Sequence, residues 1–197
     1  MKKSELVYLA LMQHALSKKK EKLTQLSLHR ELGLSLSVIN NAIKPLREMG
    51  AVQVRIRSLQ VLDTKKLLLF WASVRRLKRD IAYQTRANIP VSQIEKSMPS
   101  GVIFTAYSGY KFQFPDVPAD YSEIYVYADE RALEEIQTRF PKANGPANIF
   151  VLKSDSALAQ FCKNSSAPPA ILYADIWNLP QWHAREFLAS LEGFFKW

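Results

Sequence analysis

One cysteine, Cys162, in 197 residues excludes an intrachain disulfide framework and any multi-cysteine metal site. Six glycines supply neither a GxGxxG fingerprint nor a Walker loop. The three histidines, His14, His29 and His183, are far apart in sequence, so no metal ligand set, cofactor or catalytic triad is expected. The longest apolar run, LLLFWASV (Leu67–Val74), falls far short of the roughly 20 residues that span a bilayer. The apolar N-terminal stretch is interrupted by Glu5, Gln13 and His14, and no small-residue cleavage site follows. These absences leave a soluble, cytoplasmic protein without a membrane segment. What is present, 48% hydrophobic and 23% charged residues, suits a globular chain with its own core.

Acidic residues are scarce in one half only. Residues 1–90 hold 18 Lys and Arg against 6 Asp and Glu, a net +12; residues 91–197 hold 9 against 12, a net −3. Solubility explains a uniform excess of charge but not this segregation. A polyanion-binding part joined to a part with another task is the expectation.

Helical spacing of Leu6, Leu9, Ala10, Met12 and Leu16 predicts a helix over 4–17 behind Ser4, followed by a charged loop, Lys18–Lys22. Thr24 is placed to cap Gln25–Leu32, and Gly33 to end it. Ser35 or Ser37 caps a second helix that runs to Met49 and stops at Gly50. Val52–Arg57 and Leu59–Val61 then form a short hairpin. The segment Leu23–Val52 resembles the winged helix-turn-helix family at its diagnostic positions. Leu26, Leu32 and Leu34 would pack the first helix and turn, while Ile39, Ile43 and Leu46 would bury one stripe of the recognition helix. Leu36, Ser37, Asn40, Asn41 and Lys44 remain on its outer face. The major groove admits a helix; Ser37, Asn40 and Asn41 would read bases, with Lys44 and Arg47 on phosphate. Arg55 and Arg57, two apart on a strand, would share one face and reach phosphate or the minor groove. A merely solvated face or a protein–protein winged helix is the alternative. Pro45 lacks an N–H and should kink or loosen the helix near Asn41.

Residues 64–87 continue as one long basic amphipathic helix, so 64–90 is read as a connecting segment between a winged helix-turn-helix domain (1–63) and an α/β domain (91–197). Its charges are solvated, or extend the phosphate surface, or the helix makes a homodimer. Beyond it a helix, Val91–Met98, leads into strands at 102–107, 110–114, 123–128, 148–152 and 170–175. Helices are expected at 130–140, 155–163 and 181–195. The fold class is thus α+β/α/β in two domains, the second with a mixed sheet.

Paired carboxylates with lysine at a PD-(D/E)xK spacing would hold a metal at a phosphate. Pro115–Asp116 is followed by Glu123-Ile124-Tyr125, with tyrosine where lysine is needed, and Val151 precedes Lys153 where an acid is needed. No enzyme is the reading; a metal-dependent nucleic-acid enzyme using Asp116, Asp129 or Asp175 is the rival. His183 with Asp175 and Glu186 offers a polar cluster, and Cys162, in LAQFCK, packs as a small hydrophobe.

FTAYSGYKF (Phe104–Phe112), IYVYADE (Ile124–Glu130) and LYADIWNLPQWHAREFLASL (Leu172–Leu191) together resemble the C-terminal domain of AbiEi-type regulators, antitoxins of type IV toxin–antitoxin systems. The family pattern is a strand closing on an Asp-hydrophobic pair, a loop, then Arg and Glu opening the last helix. Asp175–Ile176, Pro180 and Arg185–Glu186 match it, whereas Trp177, Trp182 and Phe187 are bulkier than the pattern. The resemblance implies an N-terminal domain that binds operator DNA and represses its own operon. It also implies a C-terminal domain that counters a nucleotidyltransferase-like toxin, with Asp175, Arg185 and Glu186 as partner-contact candidates. The aromatic end, Phe194-Phe195-Lys196-Trp197, either folds back on the sheet or anchors an interface through Trp197.

Overall fold

A computed structural model describes residues 1–17, 23–154, 156–162 and 164–197, so the loop Lys18–Lys22 and both ends of the helix expected at 155–163 lie outside the described residues. The chain divides into two compact units, Met1–Arg75 and Arg76–Trp197.

The first unit runs α1 (Lys3–Leu16), α2 (Gln25–Leu32), α3 (Leu36–Glu48), β1 (Val52–Arg55), β2 (Ser58–Val61) and α4 (Thr64–Val74). Helix α1 starts at Lys3 with Lys2, not Ser4, at its cap, and the Lys2 backbone N–H donates to Glu5 Oε2 at 3.2 Å. Thr24 and Ser27 cap α2 reciprocally, each hydroxyl accepting from the other's backbone N–H at 2.9 Å. Gly33, at φ 64°, takes the left-handed position that ends the helix. Ser35, not Ser37, caps α3 through the Val38 N–H. The hairpin is antiparallel, with Val52 opposite Val61 and Arg55 opposite Ser58. Val7, Leu9, Leu11, Met12, Leu28, Ile39, Leu46, Leu67, Leu68 and Trp71 are fully buried. Arg75 Nη1 donates to Glu5 Oε2 at 3.0 Å, and the two side chains are 1% and 2% exposed.

The long helix expected over 64–87 does not form. Helix α4 ends at Val74, and Arg75 turns extended (ψ 134°) where its guanidinium meets Glu5. After a short α5 (Leu77–Asp80), Ile81–Thr85 is strand β3. Its burial alternates, with Tyr83 and Thr85 inside and Gln84 outside, the period-2 pattern of a strand.

The second unit continues with α6 (Val91–Lys96), β4 (Ile103–Thr105), α7 (Ala106–Lys111), β5 (Ile124–Ala128), α8 (Glu130–Arg139), β6 (Ile149–Lys153), α9 (Ser156–Ala159), α10 (Pro169–Trp177) and α11 (Ala184–Phe195). The sheet order is β3-β6-β5-β4; β5 and β6 are parallel, as the intervening α8 crossover requires, and the outer pairs are antiparallel. One face packs Phe104, Ile124, Val126, Ile149 and Val151 against Ile94, Ala132, Ile136 and Phe140. The other presents Thr105 and Tyr127 to α10.

Two expected strands are helices. Tyr110–Phe114 falls on α7 and the turn after it, and Ala170–Asp175 lies inside α10. Every residue from Ala170 to Ile176 is buried, so α10 is apolar on all sides and its pattern matches a buried strand equally well. Pro169 in its first turn favours the helix. The switch from β4 to α7 occurs at Ala106, φ 49°. Three residues on, Gly109 lets the chain pass so close that a Cβ would sit 2.7 Å from both the Phe104 carbonyl oxygen and Leu172 Cδ2.

Candidate nucleic-acid interface

Helix α3 separates its faces cleanly. Ile39, Ala42, Ile43 and Leu46 are buried, while Ser37, Asn40, Asn41, Lys44 and Arg47 are exposed. Positions 37, 40, 41 and 44 follow the three- and four-residue spacing of one helical face, so the amides, hydroxyl and ammonium project together. The helix continues through Pro45 to Glu48. Since Pro45 has no N–H, the Asn41 carbonyl lacks its helical donor, although Met49 N–H still reaches the Pro45 carbonyl at 3.1 Å.

At the hairpin, Arg55 ends β1, and Ile56–Arg57 form the two-residue turn to Ser58. The expectation that Arg55 and Arg57 share a strand face is therefore corrected: Arg57 sits in the turn. Both side chains remain exposed, and Arg55 Nε donates to Gln53 Oε1 at 3.1 Å. The Leu59 N–H donates to the Leu23 carbonyl at 2.8 Å, fastening the hairpin to the segment before α2.

Leu26, expected in the core with Leu28 and Leu32, is 47% exposed, while the other two are buried. With Leu36, Val54 and Leu59, Leu26 instead walls a cleft of about 300 Å³ between the starts of α2 and α3 and the wing. Leu26 and the wing-tip Ile56 were missed as interface candidates because apolar side chains carry no charge signal. Their signal is spatial, exposed apolar surface beside exposed arginines.

In the second unit Asp175 is 0% exposed and accepts from Thr105 Oγ1 and from the Tyr127 hydroxyl, each at 2.7 Å. It ties helix to sheet from inside, so its candidacy as a partner contact is corrected. Arg185 and Glu186 are exposed in the first turn of α11. Trp197 folds back onto helices rather than the sheet, stacking on Phe195 at 4.9 Å and meeting Tyr173 edge-on at 5.7 Å. The exposed aromatics lie elsewhere. Trp177 and Trp182, the latter 78% exposed, flank a depression of about 360 Å³ shared with Arg185 and Leu188.

His183 does not join Asp175 and Glu186. It is buried against the Tyr107 ring at 4.7 Å, with Nε2 3.6 Å from Glu123 Oε2. Glu95, also buried, accepts from Ser108, Tyr121 and Lys111 at 2.7–2.8 Å. Burial raises the phenols of Tyr107 and Tyr121 and pushes Tyr125 to about 12. It pushes the Cys162 thiol to about 12 as well, so the thiolate is scarce at neutral pH.

Compared with family models, curated proteins and solved structures, the chain matches none. The carboxylates of the nuclease rival occupy separate places. Asp116 is exposed, Asp129 caps α8 through the Ala132 N–H at 2.8 Å, and Asp175 is buried. Among the described residues no three His, Cys, Asp or Glu side chains converge as a metal ion needs, and no helix is long and apolar enough to cross a membrane.

Proposed function

We propose that this chain is a DNA-binding transcriptional regulator, an AbiEi-like antitoxin and repressor that holds operator DNA with its first unit. The observation that carries the reading is the joint exposure of Ser37, Asn40, Asn41, Lys44 and Arg47 on α3 beside an arginine-bearing hairpin. A helix of this kind in the major groove reads bases through asparagine amides, while arginine and lysine on phosphate supply affinity. The second unit serves partner recognition, with a nucleotidyltransferase-like toxin as the partner. Its exposed Trp177, Trp182 and Arg185 are of the residue types that dominate binding hot spots.

Fluorescence anisotropy of the full chain against labelled duplexes from its own upstream region, at physiological salt, tests the first part. Saturable binding, weakened at one base position by Asn40→Ala, is the expected result. No binding to any duplex refutes it and leaves the winged-helix protein-interaction module as the reading. Co-purification with the product of the adjacent reading frame, lost on Trp182→Ala, tests the second part. A full yield of complex with that variant refutes the assigned face.

A further inference from the structure

The wing tip carries a residue that phosphate binding does not need. Ile56 is 102% exposed at the apex of a two-residue turn. Turns favour Gly, Asn, Asp and Ser, whereas a β-branched side chain is stiff and suited to strands. Here it contributes nothing to the core beneath, which is completed by Val52 and Leu59. Its neighbours Arg55 and Arg57 are both exposed, so the apex is one apolar group between two cations.

The surroundings fix where that apex would lie on a duplex. The cleft between the starts of α2 and α3 and the wing is lined by apolar Leu26, Leu36, Val54, Ile56 and Leu59, with Thr24, Gln25, Arg55 and Ser58 among them. A single sugar–phosphate strand separates a major groove from the adjacent minor groove. With α3 in the first, that strand would run along this cleft, its deoxyribose C–H faces towards the leucines. The hairpin tip then falls at the minor groove.

We infer that Ile56 is an apolar wedge that enters the minor groove at a deformable A·T-rich step while Arg55 and Arg57 hold the groove's phosphates. The inference rests on the DNA-binding reading above and adds the class of site. Apolar wedges of this type partly unstack a base step and bend the duplex, and pyrimidine–purine steps such as TA yield most readily.

The test compares full-length wild type, Ile56→Ala and Ile56→Phe on two end-labelled duplexes, one A·T-rich with a central TA step and one G·C-rich. Affinity, salt slope and bend by end-to-end energy transfer are read for each. Ile56→Ala is expected to lose on the order of tenfold in affinity for the TA duplex, together with its bend. Its salt slope and its affinity for the G·C-rich duplex stay as in wild type, and Ile56→Phe retains bending. Equal loss on both duplexes, or unchanged affinity and bend, overturns the wedge. If wild type binds neither duplex, the DNA-binding reading itself fails, and the wedge with it. If wild type binds with a slope that depends on Arg55 and Arg57 but Ile56→Ala matches it, only the wedge fails. Ile56 packs on nothing, so matching melting curves establish that the variants are folded.

Discussion

Counterion release puts a number on the proposed interface. Lys44, Arg47, Arg55 and Arg57 are all exposed, so each can neutralise one phosphate. At about 0.9 counterions per contact, the four predict a slope of log K against log salt of about −3.6. Affinity then falls about 150-fold between 50 and 200 mM salt. The double variant Arg55→Ala, Arg57→Ala removes two contacts, halving the slope to about −1.8 and the loss over the same range to about 12-fold. The assay is anisotropy of a labelled duplex titrated at five or six salt concentrations. Because both side chains are exposed on the hairpin and Arg55 donates to its neighbour Gln53, melting temperature should not move. A double variant that binds with the wild-type slope refutes the placement of the wing on phosphate, whatever its affinity. A wild-type slope near zero refutes phosphate binding by the whole surface.

Glu5→Gln removes the carboxylate charge that Arg75 Nη1 meets in a buried pair and should lower stability by about 1–5 kcal/mol in urea denaturation, whereas Glu5→Leu with Arg75→Met should recover part of it. A loss below about 1 kcal/mol for Glu5→Gln would show that the pair is solvated. Gly109→Ala drives a methyl against the Phe104 carbonyl and Leu172, and should destabilise by about 1–3 kcal/mol; an unchanged midpoint would mean that α7 can lift from β4. Alkaline stability follows from Cys162 and Tyr125, whose folded pKa values, both about 12, lie above their ordinary 9.0 and 10.0. The unfolded chain releases these protons first, so their stabilising contribution is complete below pH 9 and is lost as pH rises towards 12. Chemical denaturation at pH 8, 10 and 11 should show midpoints falling in that order, and a flat profile would contradict the burial of both groups.

The first unit was largely legible because its signals are local. Thr24, Ser35, Gly33 and Gly50 punctuate the chain by capping chemistry and backbone conformation, which do not depend on distant residues. The second unit misled at four places, each where a tertiary contact decides, and one of them is Tyr110–Phe114, which falls on α7 and its turn rather than on a strand. Ile81–Thr85 reads as a helix because Ile81 and Ala82 prolong the apolar spacing of the preceding segment, but it pairs with β6, some seventy residues later. Ala170–Asp175 is buried throughout and takes its helical form between β4, α7 and α11. Asp175 was conspicuous as a carboxylate, yet its role is set by Thr105 and Tyr127, which no spacing in the sequence brings to it. On the interface side, the polar face of α3 followed from helical spacing alone. Ile56 and Leu26 required the fold, since apolar residues are interface candidates only once they are seen to be exposed.

The boundary between the units changes what the charge means. Divided at residue 90, the chain shows +12 against −3; divided after Arg75, where the compact units part, residues 1–75 carry +9 and residues 76–197 carry 13 basic and 13 acidic side chains. The whole excess therefore belongs to the unit with α3 and the two-strand hairpin, and the second unit is neutral. Arg76, Lys78, Arg79 and Arg86, which on a continuous helix would prolong a phosphate track, belong instead to a unit balanced by its own acids. Long-range attraction to a polyanion scales with net charge and is screened beyond about 10 Å at 0.1 M salt. Replacing Arg76, Lys78 and Arg79 by glutamine in the full chain should thus leave the salt slope of duplex binding within about 0.5 of wild type. A drop approaching 3 would return those residues to the phosphate surface and dissolve the division of labour between the two units.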